Sequence, residues 1–81
     1  MTTLEKLRGE VDTIDDEIAS LLDKRLQVGK EIIDAKKSKN LPIEDLDREK
    51  EIVSRVVKNS RVDEALINEI YFNIFDHVKN G

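Results

Sequence analysis

The sequence predicts an all-α protein of three helices, one long and two shorter, in a single domain spanning residues 1–81. Three observations point there. Apolar residues recur every three or four positions through most of the chain. Pro42 and the polar run Asn59-Ser60-Arg61 divide that pattern into three stretches. Charged residues make up 40%, against 38% apolar and 4% aromatic, a balance that fits amphipathic helices around a thin core. No strand alternation, internal repeat or low-complexity tract is present.

Leu4, Leu7, Val11, Ile14, Ile18, Leu21, Arg25, Val28 and Ile32 alternate steps of three and four, the seam of a helix that packs on other helices. Gly9 and Gly29 lie within it, each costing about 1 kcal/mol relative to Ala, too little to break so regular a pattern. The first helix is therefore placed from Thr3 to Lys37. Asn40-Leu41-Pro42 stops it, because the residue before a proline is driven out of the α region. Asp45 can cap a second helix, with Asp47 and Glu49 in its first turn where negative charge suits the dipole. That helix buries Ile52, Val53, Val56 and Val57 and ends near Lys58. After the Asn59-Ser60-Arg61 turn, Asp63 caps a third helix, and Val62 with Ile67 has the spacing of a hydrophobic staple. Its inner stripe is Ile67, Ile70, Tyr71, Ile74 and Phe75, and Asn80-Gly81 forms its exit.

Length then bears on assembly. A helix of about 35 residues is roughly 50 Å long, whereas a compact chain of 81 residues is only ~30 Å across. Two short helices cannot cover such a rod. A second copy, most simply related by a two-fold axis, is expected to bury the remaining seam. The absence of cysteine strengthens the point, because disulfides cannot supply what a small core lacks.

Composition also narrows the chemistry. Without cysteine there is no thiolate metal site or cysteine nucleophile, and the lone His77 cannot form a two-histidine site. His77 reads as a helix-end residue. No Ser/His/Asp set or Gly-rich phosphate loop occurs, so neither a metal nor a cofactor is expected. A net charge of −4 argues against nucleic-acid binding. No apolar run approaches the ~20 residues of a membrane span and the start has no signal-peptide shape, so a cytoplasmic protein is expected. A small anion held by grouped cations remains compatible with this balance.

Arg25 is the one charge on the apolar seam. Read alone, it is better taken as an arginine that snorkels or pairs with a carboxylate such as Glu49. Lys36 shifts that balance. It follows eleven residues later on nearly the same face, ~16 Å along the axis, a gap two long side chains bridge only around something such as a dianion. Asp45, Arg48 and Glu49 form one stripe continuous with Ile52 and Val56. Asp45 alone reads as a cap, but Arg48 and Glu49 continue a buried face. Arg8 lies ~25 Å before Arg25 along the helix, so it reaches a shared ligand only by entering a partner's pocket. By itself it reads as a surface charge. Lys36-Lys37 with Lys39 reads as a solvated cluster, and Tyr71, Phe72 and Phe75 read as core.

Together these residues resemble a known family. Leu7-Arg8, Val11-Asp12, Ile14-Asp15, Ile18, Leu21-Leu22 and Lys24-Arg25 are similar to the first helix of the all-helical (AroQ-type) chorismate mutases. Ile32, Ala35-Lys36 and Pro42-Ile43-Glu44-Asp45-Leu46-Asp47-Arg48-Glu49 continue the likeness, which runs from Leu4 to Asp76. Its most specific part is the Asp-x-x-Arg-Glu cluster at its distance from Arg25 and Lys36.

The resemblance implies an intertwined helical homodimer that rearranges chorismate to prephenate in phenylalanine and tyrosine biosynthesis without a cofactor. It further implies that Arg25 binds one substrate carboxylate and that Arg8 of the other subunit binds the second. Lys36 would donate to the ether oxygen, Asp45 and Glu49 would engage the ring hydroxyl, Arg48 would support that side, and Ile32 would supply apolar wall. The sequence departs from the pattern at its end. The family's late glutamine or glutamate donor would fall one residue beyond Gly81, and Val78 replaces a polar residue four positions earlier. Both departures weigh against efficient catalysis, and fit a weak mutase, a shortened chain or a segment of a longer protein. Two rivals stand beside this reading. One is an isochorismate-pyruvate lyase-like enzyme; the other is a non-catalytic helical dimer that regulates or docks to an enzyme of aromatic biosynthesis.

Overall fold

A computed structural model describes residues 2–81. It contains α1 (Thr3–Ser38), α2 (Leu46–Lys58) and α3 (Glu64–Asn80). Each helix begins on a side-chain cap. Thr2 Oγ1 accepts from the Glu5 amide at 3.2 Å, in the Thr-x-x-Glu spacing of a capping box. Asp45 Oδ1 accepts from the Arg48 amide and Asp63 Oδ2 from the Leu66 amide, both at 3.1 Å. All three caps satisfy amides that the helix itself leaves without partners.

The end of α1 lies one residue beyond the expected Lys37 and has a different cause. Asn40 adopts a left-handed φ of 57°. Its amide donates to the Lys37 carbonyl at 3.2 Å while the Leu41 amide donates to the Lys36 carbonyl at 2.8 Å. This is a Schellman ending, with asparagine in the position usually held by glycine. Pro42 follows the stop but does not make it. The connector then folds back past the end of α1, where Lys36 Nζ donates to the Ile43 carbonyl at 3.2 Å.

The helix α3 packs against both α1 and α2, whereas α1 and α2 stay apart and leave a space between them. At Gly29, which is buried, α1 lies tightly against α3. A Cβ there would lie 2.8 Å from a methyl of Val78. Ile52, Val53, Val56 and Val57 of α2 and Tyr71, Ile74 and Phe75 of α3 are half-buried, as their stripes predict. Ile70, expected on the inner stripe, is exposed, and so is Phe72, expected in the core. Ile67 is the one large hydrophobic residue buried among those described, and even it is not fully enclosed.

So thin a core leaves the molecule elongated. Its radius of gyration is 16.2 Å and its longest axis 57 Å, against about 12 Å for the radius of a compact chain this long. Leu4, Leu7, Val11, Ile14, Ile18 and Leu21 run along α1 at least half exposed. The accessible surface is 6795 Å², about 1,800 Å² above the ~5,000 Å² usual for a folded monomer of this mass. No helix among the described residues is long and apolar enough to cross a membrane.

Candidate active site

The space between α1 and α2, floored by α3, is a cavity of about 560 Å³. Helical spacing explains what lines it. Arg25, Ile32 and Lys36 descend one face of α1, and Asp45, Arg48, Glu49, Ile52 and Arg55 follow one face of α2. Tyr71, Phe75, Val78 and Lys79 rise from α3. Five cations and two carboxylates therefore surround one concavity in a chain whose net charge is −4. Such a cluster between low-dielectric walls attracts and concentrates small anions.

Arg25 is half-buried, with its guanidinium carbon 5.9 Å from the centre of the Phe75 ring. Tyr71 supports that ring, the two centroids lying 5.7 Å apart at 54°. Stacking of this kind contributes about 0.5–2 kcal/mol and leaves the guanidinium donors unspent. The alternative in which Arg25 pairs with Glu49 is not what the structure shows: among the described residues Arg25 makes no ion pair. Glu49 instead accepts from Lys79 Nζ at 2.9 Å, and Lys79 also reaches Glu44 at 3.1 Å. The hydrogen bond to Glu49, then that to Glu44, hold the Lys79 ammonium above a lysine's ordinary 10.5. Asp45 both caps α2 and lines the cavity, so its backbone role and its place at the site coincide.

The structure thus gathers Arg25, Ile32, Lys36, Asp45, Arg48 and Glu49 on one cavity. Arg8 lies elsewhere, on the N-terminal part of α1 roughly 25 Å from Arg25. Three contributors were not singled out in the sequence. Arg55 lies seven residues beyond Arg48 and three beyond Ile52, on the same face. Phe75 was read as core but forms wall, and Lys79 sits four residues after Phe75 on the inner stripe of α3. A lysine interrupting an apolar stripe is the same signal that marked Arg25. Among the described residues no three His, Asp or Glu side chains gather as metal ligands do.

Fold and cavity define a class: an all-helical protein with a cation-lined pocket sized for a compact anion. Comparison with known proteins narrows it. The model of the family described as chorismate mutase type II matches residues 7–80. The chain is 37% identical over 75 residues to the bifunctional chorismate mutase/prephenate dehydratase of Aquifex aeolicus (strain VF5), covering 93% of this chain and 19% of that protein. It is 32% identical over 79 residues to the chorismate mutase of Methanocaldococcus jannaschii, covering 94% of this chain and 80% of that one. A solved structure of a conserved hypothetical protein from Pyrococcus furiosus superposes with a TM-score of 0.78 at 40% identity, covering 99% of each chain. The chain belongs to the chorismate mutase type II family, as its Arg, Lys and Asp-x-x-Arg-Glu spacing led us to expect.

Proposed function

We propose that this protein rearranges chorismate to prephenate as a homodimer, each site completed by Arg8 of the other subunit. The observation that carries the reading is the convergence of Arg25, Lys36 and Arg48 with Asp45 and Glu49 on one cavity. Chorismate is a dianion with a ring hydroxyl, and this set offers donors for carboxylates beside acceptors for a hydroxyl.

The reaction is intramolecular. A carbon–oxygen ether bond breaks as a carbon–carbon bond forms, and no proton or group leaves. The chain's own task is to hold a flexible substrate in its reactive chair-like shape and to favour the charge that develops on the ether oxygen. Arg25 grips one carboxylate and Arg8 of the partner the other. The Lys36 ammonium faces the ether oxygen, which gains negative charge as its bond lengthens. Asp45 and Glu49 accept from the hydroxyl, Arg48 steadies that side, and Ile32 closes the apolar wall. Val78 turns methyl groups toward Gly29 where the resemblance has a polar residue, which lowers the turnover we expect.

The excess surface supports the dimer. About 1,800 Å² per chain, taken twice, falls in the range of obligate interfaces. The exposed seam from Leu4 to Leu21 also carries Arg8 on the same stretch of α1. The test is to incubate purified protein with chorismate and, separately, with isochorismate, following loss of diene absorbance and the products formed. Chorismate should yield prephenate while isochorismate stays intact. Pyruvate release from isochorismate would make the protein a lyase, and inertness toward both from a folded dimer would make it a docking module.

A further inference from the structure

Glu49 must do something that its surroundings make difficult. It is a carboxylate lining a cavity proposed to receive a dianion, and Glu44 lies close by. Two negative groups beside that cavity oppose the ligand that the cations attract. The Glu49 carboxylate also has two oxygens and a freely turning side chain, so nothing on α2 alone decides which oxygen faces the cavity.

Lys79 resolves both difficulties. From the last turn of α3 its Nζ donates to Glu49 Oε2 at 2.9 Å and to Glu44 Oε2 at 3.1 Å. Its side chain is only 19% exposed and that of Glu49 only 22%, so this is no loosely solvated surface pair. Oε2 is occupied by the ammonium, and Oε1 makes no hydrogen bond among the described residues. With two carboxylates on one ammonium, Lys79 is not available as a fourth grip on the substrate. Its charge is spent on cancelling theirs.

We infer that Lys79 is a positioning residue of the site: it pins one oxygen of Glu49, turns the other toward the substrate hydroxyl, and screens Glu44 and Glu49 from the incoming dianion. The inference rests on the mutase reading and adds to it a residue that acts through Glu49 and does not touch the substrate. Lys79 also ties the end of α3 to the start of α2, so a structural contribution has to be separated from the positioning one.

A kinetic cycle with Lys79→Met and Glu49→Ala makes that separation. With chorismate as substrate, Lys79→Met should lower kcat/KM about tenfold, through a raised KM and a reduced kcat together, while Lys79→Arg keeps most of the activity. In the Glu49→Ala background the same Lys79→Met change should cost no more than about threefold, because the carboxylate that Lys79 positions is gone and only the screening of the more exposed Glu44 remains. Circular dichroism confirms that each variant is folded before it is assayed. Equal losses in both backgrounds, or no rescue by arginine, would overturn the inference while leaving the mutase reading intact. A wild-type chain that leaves chorismate unchanged overturns both.

Discussion

A half-buried guanidinium with no carboxylate beside it is costly unless something else satisfies it. At Arg25 the guanidinium lies over the Phe75 ring, and the residue lines the cavity. Lys36 is placed differently. It lines the cavity, and its one hydrogen bond among the described residues goes to the Ile43 carbonyl, an acceptor that a substrate atom can replace or share. These two placements lead to different expectations. Removing a preorganised donor aimed at a developing oxyanion typically costs ~10²–10³ in rate, or about 2.7–4 kcal/mol. Lys36→Ala should therefore lower kcat by that order. On the proposed reading Arg8 of the partner holds ground state and transition state alike, so Arg8→Ala should act mainly on KM. Steady-state kinetics with chorismate separate the two, and an unchanged kcat in Lys36→Ala would remove Lys36 from the ether oxygen.

At the scale of helices, a tight contact between α3 and α1 falls at Gly29, on the lining of the cavity. Val78 is β-branched and stiff, so it cannot swing away from a new methyl 2.8 Å from its own. Alanine gains about 1 kcal/mol of helix propensity over glycine, while overpacking costs about 1–3 kcal/mol. With so close a stiff neighbour the second term is the larger, and Gly29→Ala should destabilise the protein by up to about 2 kcal/mol. At Gly9 nothing lies within 4 Å of the added methyl. Gly9→Ala should stabilise by up to about 1 kcal/mol. Urea midpoints at one protein concentration read both, and opposite signs are the expected outcome. The helices themselves were legible because α1 keeps its three-four rhythm for nine positions and because Asp45 and Asp63 are strong caps. The end of α1 is predicted from Pro42 but set by Asn40, two residues past Ser38, since a left-handed asparagine leaves little mark in sequence. Ile70 and Phe72 were placed inside on periodicity alone, yet one chain has too few helices to cover every apolar side of α3. Lys79 escaped notice for a related reason: a basic residue in a last turn already has an explanation in the helix dipole.

Taken whole, the chain is a 57 Å rod with two short helices lying along part of it, and the rest of its apolar seam faces outward. That shape is expensive for a monomer in water and natural for half of a dimer. It also bears on Arg8, the one proposed site residue that the cavity does not contain. Arg8 is too far along α1 to serve its own chain's cavity, and a partner running the opposite way would bring it to the other. Subunit mixing tests this most directly. Arg8→Ala and Arg25→Ala proteins, each nearly inactive alone at chorismate concentrations well below their raised KM, are unfolded together in urea, refolded and assayed at those concentrations. Random pairing makes half of the dimers mixed, and each mixed dimer carries one site with both arginines intact, so about a quarter of wild-type activity should return. Activity no greater than the sum of the two separate variants, from a sample shown to contain mixed dimers, would mean that the site is not shared between subunits.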